Sequence, residues 1–292
     1  MLRSIALSVA VLLASTPALA DTSWSNVDSA LGRSGAVQPD GVHKYSFPRS
    51  DLSVVLDGVK LKPALALGSW LAFEPAGNTA MVMGDLVLTQ DEVNPVMHRL
   101  LQSGLTVTAL HNHLLRSAPG TMYMHVHGTG DATLLAAALR SALTLSKTPL
   151  GPTVPASAPS PPLDLDTVRL DKLIGWPGKA NGGVYQFSIP RPEHIMDAGG
   201  PVPPSMGLAI ALNLQPTGGG RAVSTGDFVL LQSEVDPVLR ALSHANIDVT
   251  ALHNHLGQEQ PRLFFMHYWA NGEAATIASG LRKALDATAA RR

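Results

Sequence analysis

The sequence predicts an α+β fold made twice, as two tandem repeats, each an antiparallel sheet packed with helices. Three observations predict it. Residues 109–114, Ala-Leu-His-Asn-His-Leu, return letter for letter as residues 251–256. The same 142-residue offset runs without a gap from residues 84–143 against 226–285, with 28 of 60 aligned positions identical. A period this long means two domain-sized copies, not a solenoid of short units. Within a copy, stretches of strand-like alternation come first, and stretches with apolar residues three and four apart follow them.

Taken in order, residues 1–20 read as a targeting signal. Arg3 gives a positive start, residues 5–13 an apolar core, and Ala18-Leu-Ala20 the small residues a signal peptidase accepts. The expectation is a periplasmic or secreted protein beginning at Asp21. The apolar core is too short to cross a bilayer, which takes ~20 residues, so no transmembrane segment is expected. The first repeat, residues 24–145, starts with a helix near 27–31, then strands near 44–47, 52–56, 64–73 and 80–88. Thr89-Gln-Asp-Glu92 reads as a capping box, and Val93, Val96, Met97, Leu100 and Leu101 form a helical stripe ending near Gly104. Residues 105–114 and 121–127 alternate like two strands of a hairpin. Gly130-Asp131 opens a last helix with Leu134, Leu135, Ala138, Leu139, Ala142 and Leu143 on one face. Residues 146–163, rich in Pro, Ser and Thr, read as an extended linker. Residues 164–288 form the second repeat, and each copy is expected to bury its own core.

Composition narrows the function. With 45% hydrophobic and 15% charged residues the chain is globular. It has no cysteine, which excludes disulfides, thiolate ligands, cysteine nucleophiles and lipid anchoring through an acylated cysteine, so any metal must be held by histidine, carboxylate or water. A formal net charge of −1 without Lys/Arg clusters argues against nucleic acid. His-Asn-His is therefore not read as a nuclease signature.

Strand periodicity turns the histidines into geometry, because residues two apart share a face. His111 and His113 share one, His125 and His127 another on the following strand, and an antiparallel hairpin brings all four together. The second copy offers His253, His255 and His267, with Trp269 in place of His127. Imidazole is the commonest ligand of borderline divalent metals, and three with an open position suit zinc. Hydrogen bonding to backbone or solvent is the plainer reading of the same residues. The repeat also singles out Asp85 with Asp227, as site carboxylates or as a turn or bulge after glycine, and Glu92 with Glu234, as helix caps or general bases. Asn112 and Asn254 fall on the opposite face as hydrogen-bonders, Met122, Met124, Phe264 and Met266 in the core, and Arg49 and Arg191 in surface salt links with Asp51 and Glu193.

The segments Gly-Asp-(Leu/Phe)-Val-Leu, Glu-Val-(Asn/Asp)-Pro-Val, Val-Thr-Ala-Leu-His-Asn-His-Leu and Met-His resemble the LppY/LpqO family of exported bacterial proteins, catalogued as a domain of unknown function. The resemblance covers both copies and implies no activity. The residues themselves point to a two-domain exported protein with His-rich, zinc-type sites on His111, His113, His125, His127, His253, His255 and His267. In a hydrolytic version, Glu92 or Asp85 would accept a proton while a small-molecule or cell-envelope substrate is cleaved. The competing expectation is a non-catalytic ligand-binding or structural envelope protein.

Overall fold

The computed structural model describes residues 24–152, 162–197 and 200–290. The expected signal at residues 1–20 and the middle of the expected linker lie outside the described residues. Each repeat forms a six-stranded antiparallel sheet. In the first, the strands lie side by side in the order Ala36–Val37, His43–Pro48, Gly68–Ala76, Thr79–Thr89, Thr121–Gly130 and Thr106–His111. In the second the order is Lys179–Asn181, Val184–Ile189, Ile210–Gly218, Arg221–Leu231, Leu263–Glu273 and Asp248–His253.

Three helices cover one face of the first sheet: Trp24–Leu31, Gln90–Gln102 and Ala132–Leu143. Val27, Val96, Leu100 and Leu139 pack there against Ala80, Val82, Leu86, Leu88, Met124 and Val126, all on one side of the pleat. The helix starts are specified locally. The Glu92 carboxylate accepts from Thr89 N–H at 2.9 Å, and Asp131 accepts from Leu134 N–H at 2.9 Å, satisfying backbone donors that the helix leaves bare.

The opposite pleat face carries Met81, Met83, Asp85 and Val87, alternating with the helix-facing set. It is buried against the second repeat. Met81 and Met83 belong to the apolar cluster of the second copy, while Val87 and Tyr123 pack in one cluster with Val184, Val223 and Trp269. The order of layers is therefore helices, sheet, sheet, helices, with shared apolar surface between the sheets. The expectation that each copy buries its own core is corrected here. The helix-side face of each sheet does so, but the other face is completed only by the partner repeat.

Smaller corrections follow from local chemistry. The strand expected at 64–73 is a short helix, Pro63–Ala66, then a strand from Gly68, because proline favours the first helical turn. At 52–56 only Val55–Leu56 pairs, with Val59–Lys60 across a tight turn where Asp57 and Gly58 take positive φ. The start of the expected linker is held in place: Arg33 donates to Pro149 and Gly151 carbonyls, and Arg140 to the Leu150 carbonyl. No helix among the described residues is long and apolar enough to cross a membrane.

Candidate metal centre

The Gly-Asp pair puts a carboxylate in mid-strand. Gly84 pairs with Leu71 on one side and Val126 on the other without a register shift, so the turn or bulge considered for this pair is absent. Glycine is required by crowding. A Cβ on Gly226 would lie 1.9 Å from the Ala211 carbonyl oxygen, and one on Gly84 2.7 Å from that of Trp70. The following Asp85 and Asp227 then point into the space between the sheets, Asp85 buried and Asp227 partly so.

Around them stand six imidazoles, three from each copy. His125 and His267 lie in the long central strands, opposite Asp85 and Asp227 in the ladder. His111 and His253 end their edge strands, and His113 and His255 lie just beyond, in the turns. The ring contacts come in matched sets: His111 stacks on His253 at 3.5 Å, His113 on His267 at 3.7 Å, and His125 meets His255 at 3.4 Å. Since His113 corresponds to His255 and His125 to His267, the last two contacts join equivalent residues of the two copies, stacked in one and edge-on in the other. This is the signature of a two-fold relation, with the axis passing between His111 and His253. The two histidine sites expected 142 residues apart are one cluster.

Burial sets the charge state. His111 is lowered to about 3, chiefly by desolvation and then by His253, while His113, His125, His255 and His267 are pushed well below the usual imidazole range, first by burial and then by their histidine neighbours. His253 is lowered by burial as well. The imidazoles are neutral at pH 7 and keep a lone pair each. Asp85 and Asp227 are raised well above the usual carboxylate range, again by desolvation.

Hydrogen bonds fix which nitrogen carries the lone pair. A backbone carbonyl only accepts, so Nδ1 of His253, 2.9 Å from the Asn254 oxygen, and Nδ1 of His267, 3.1 Å from the Gly226 oxygen, both carry hydrogen. Their Nε2 atoms are then both bare, yet they stand 3.0 Å apart. Two facing lone pairs at that separation repel unless a cation lies between them. His111 Nδ1 donates likewise to the Asn112 oxygen at 3.2 Å, and its Nε2 is 2.7 Å from that of His125. Asp85 Oδ1, Asp227 Oδ1, His113 Nε2 and both ring nitrogens of His255 have no hydrogen-bond partner within the protein, an expensive condition for buried polar atoms.

These donors fit a divalent ion. Three sets bring ligand atoms within 4.8 Å of one another: His111, His113 and His267; His111, His125 and His253; and Asp85, His113 and His125. Two of the three draw on both repeats. Asp85 lies 3.6 Å from His113 Nε2 and 4.0 Å from His125 Nε2, close to the roughly 3.4 Å between tetrahedral donors ~2.1 Å from zinc. The carbonyls behind His111, His253 and His267 hold the rings in the tautomer a metal needs.

Other expected site residues lie elsewhere. His127 is absent from all three sets, and its Nε2 is 3.7 Å from Asp197 of the other repeat. Its counterpart Trp269 donates to Asp57 at 2.8 Å, so both positions reach across to the small hairpin of the opposite copy. Glu92 is engaged by Arg49, by Thr89 N–H and by Lys147 N–H. Glu234 repeats this with Arg191, Leu231 and Ala289. Arg49 and Arg191 are almost fully enclosed, correcting the expected surface salt links: each is gripped by two carboxylates, Asp51 and Glu92, or Glu193 and Glu234. The asparagines do serve as hydrogen-bonders, Asn254 donating to Leu263 O at 2.7 Å, and Met124 and Met266 are in the helix-side cores. Sequence reasoning did not single out Thr250, whose hydroxyl donates to the His113 carbonyl at 2.6 Å across the repeats.

The cluster forms the inner wall of a cavity of about 430 Å³ between the sheets, lined by Asp85, His113, His125, Asp227, His255 and His267 among others. Residues 25–145 and 168–287 each match the family described as Domain of Unknown Function (DUF1259). No curated protein shows a match to the chain. Among solved structures, a trimeric bacterial microcompartment shell protein, PduB, is similar at 13% identity over 85% of this chain and 89% of that one, with a TM-score of 0.20, too low to inform the fold.

Proposed function

The chain belongs to the family described as Domain of Unknown Function (DUF1259), carried in two tandem copies, and from that premise we propose that it is an exported metalloprotein with one composite divalent-metal centre, of zinc type, between the repeats. The observation that carries the reading is the pair of bare Nε2 atoms of His253 and His267, 3.0 Å apart with both Nδ1 atoms committed to carbonyls. Burial disfavours a bridging proton, whereas a cation satisfies both lone pairs. Any of the three overlapping sets drawn from His111, His113, His125, His253, His267 and Asp85 would supply its ligands. His255, with both ring nitrogens unpaired, and Asp227 stand at the related positions of the second copy. A donor set of imidazole and carboxylate without thiolate suits zinc and its neighbours.

An ion held there supplies Lewis-acid polarisation of a ligand oxygen. In the hydrolytic form of the proposal Asp227, which lines the cavity and belongs to none of the three ligand sets, is the proton-handling group, with burial raising its carboxyl well above the usual carboxylate range. Glu92 acts instead as a helix cap and as the partner of Arg49. The placement among LppY/LpqO proteins rests on the Thr-Ala-Leu-His-Asn-His core, and export on the sequence of residues 1–20.

The test is cobalt substitution of the full chain purified without chelator. Stoichiometric cobalt uptake, with visible bands of an ion bound by several imidazole nitrogens and displaced by zinc, is the expected result. A chain that takes up neither ion stoichiometrically overturns the proposal.

A further inference from the structure

The two-fold relation makes every departure from symmetry in the cavity informative. In each sheet one strand separates the strand of Asp85 or Asp227 from a strand on which Lys44 of the first copy corresponds to Gln186 of the second, and both line the cavity. Each ties its repeat to the other in the same way. Lys44 Nζ donates to the Ser205 carbonyl at 3.0 Å, and Gln186 Nε2 to the Ala64 carbonyl at 2.8 Å. The tie therefore needs only a neutral donor, and the charge at Lys44 is additional to it. Beside them, Trp70 corresponds to Ala211: Trp70 pairs with Ser46 and with Asp85, as Ala211 does with Ser188 and Asp227. Lys44 Nζ lies 4.4 Å over the Trp70 ring, which packs on Gly207, itself beside His255.

One end of the cavity is thus cationic and aromatic, the other neutral and small. Lys44 is the sole Lys or Arg among the described cavity-lining residues. Its ammonium is desolvated, which lowers it to about 8, with Asp40 pulling the other way. It has three donor hydrogens and one carbonyl partner. A desolvated cation kept where a neutral side chain makes the same structural contact is a cost unless anions offset it, and Asp40 offsets it only in part.

We propose that the Lys44 and Trp70 end of the cavity binds the oxyanion group of a small organic molecule, of carboxylate or phosphate class, whose remainder extends toward the histidine cluster. The cavity volume suits a small ligand, within the usual range of ~300 to 1,000 Å³. The inference supplies the ligand class for the site proposed above, and its anion end stands independently of the ion.

The experiment is titration calorimetry of the full chain with acetate and, separately, inorganic phosphate, on metal-free and zinc-treated protein. The variants are Lys44→Gln, which copies the second repeat and keeps the tie to Ser205, and Lys44→Arg. At least one anion should bind the metal-free wild type saturably, and Lys44→Gln should weaken it by about tenfold or more, the loss of a charge-assisted hydrogen bond. Lys44→Arg should retain most of the binding, and acetate against phosphate decides the anion class. Equal affinity in wild type and Lys44→Gln, or no saturable binding of either anion, overturns the inference. Zinc content measured on the same samples separates the two claims: anion binding without zinc refutes the metal reading alone, and zinc without anion binding refutes the subsite alone.

Discussion

Acidifying the metal-free protein from pH 7 to pH 5 should destabilise it steeply. Six cluster histidines, His111, His113, His125, His253, His255 and His267, have pKa values in the fold below the ordinary value near 6.5. Each binds a proton in the unfolded chain that it does not bind when folded. Their contribution is fully present above about pH 6.5 and is lost as the pH falls below it toward the depressed values. Asp85 and Asp227 act in the opposite sense. Their raised pKa values mean that the folded state takes up two protons that the unfolded chain, with carboxylates near 3.9, leaves off until lower pH. Between about pH 4 and 6 His111, lowered to about 3 against an unfolded value near 6.5, by itself takes up one proton on unfolding, a slope of about 1.4 kcal/mol per pH unit, and the other lowered histidines add to it. Against a total stability of ~5 to 15 kcal/mol, the roughly 2 kcal/mol lost by pH 5 through His111 alone is a substantial fraction of the fold's stability. His43 and His127, also lowered by burial, can only add to the slope. Urea unfolding followed by circular dichroism at half-unit pH steps reads this directly. A free energy constant to within ~1 kcal/mol from pH 7 to 5 would refute the argument that the imidazoles are buried and neutral.

Three further outcomes follow. Zinc at about a hundred times its Kd should stabilise the protein at pH 7 by roughly 2.7 kcal/mol, read as a rise in Tm that a chelator reverses; an unchanged Tm would speak against binding to the folded state. Glu92→Gln should destabilise by about 1 to 3 kcal/mol by leaving the enclosed Arg49 with Asp51 as its one carboxylate partner, yet leave metal content per folded chain unchanged; lost metal with unchanged stability would return Glu92 to the site. Protease cleavage within the Pro-rich joint should give two fragments on a denaturing gel that still migrate together at the mass of the intact chain, because the sheets share Val87, Tyr123, Val223 and Trp269 in one apolar cluster; separation of the halves on sizing would contradict the shared core.

Much of this architecture is legible in the sequence because duplication marks it. The 142-residue offset isolates the His-x-His and Met-His pairs, and period-two alternation places His125 on the face opposite Met124, where it is found. The α+β class follows from the same periodicities. What strand period cannot show is which surface covers that face. The convergence of the copies depends on shape complementarity between two sheets, and nothing in a local pattern encodes it. His127 illustrates the limit: alternation puts it on the right face, but two residues along the strand carry it past the cluster to Asp197. The Trp269 substitution was the available hint, since a tryptophan replaces a hydrogen-bonding clasp more readily than a ligand. His113 and His255 show the converse, lying beyond their strands and still reaching the cluster through the turn. Arg49 was legible as a repeated residue but not as a buried one, because its burial depends on Glu92 forty-three positions away.

The central claim is that both repeats build one metal centre, and metal content of paired double variants tests it most directly. The full chain, His111→Ala with His113→Ala, and His253→Ala with His255→Ala are each loaded with zinc, desalted and assayed for metal per folded chain. Since all three ligand sets contain His111 or His113 and one of them draws on His253, the first double variant should lose essentially all the zinc that the wild type retains, and the second should bind it more weakly. Retention of half the metal by each variant would show two independent sites, one per repeat, and a wild type without zinc would show that the cluster holds no ion.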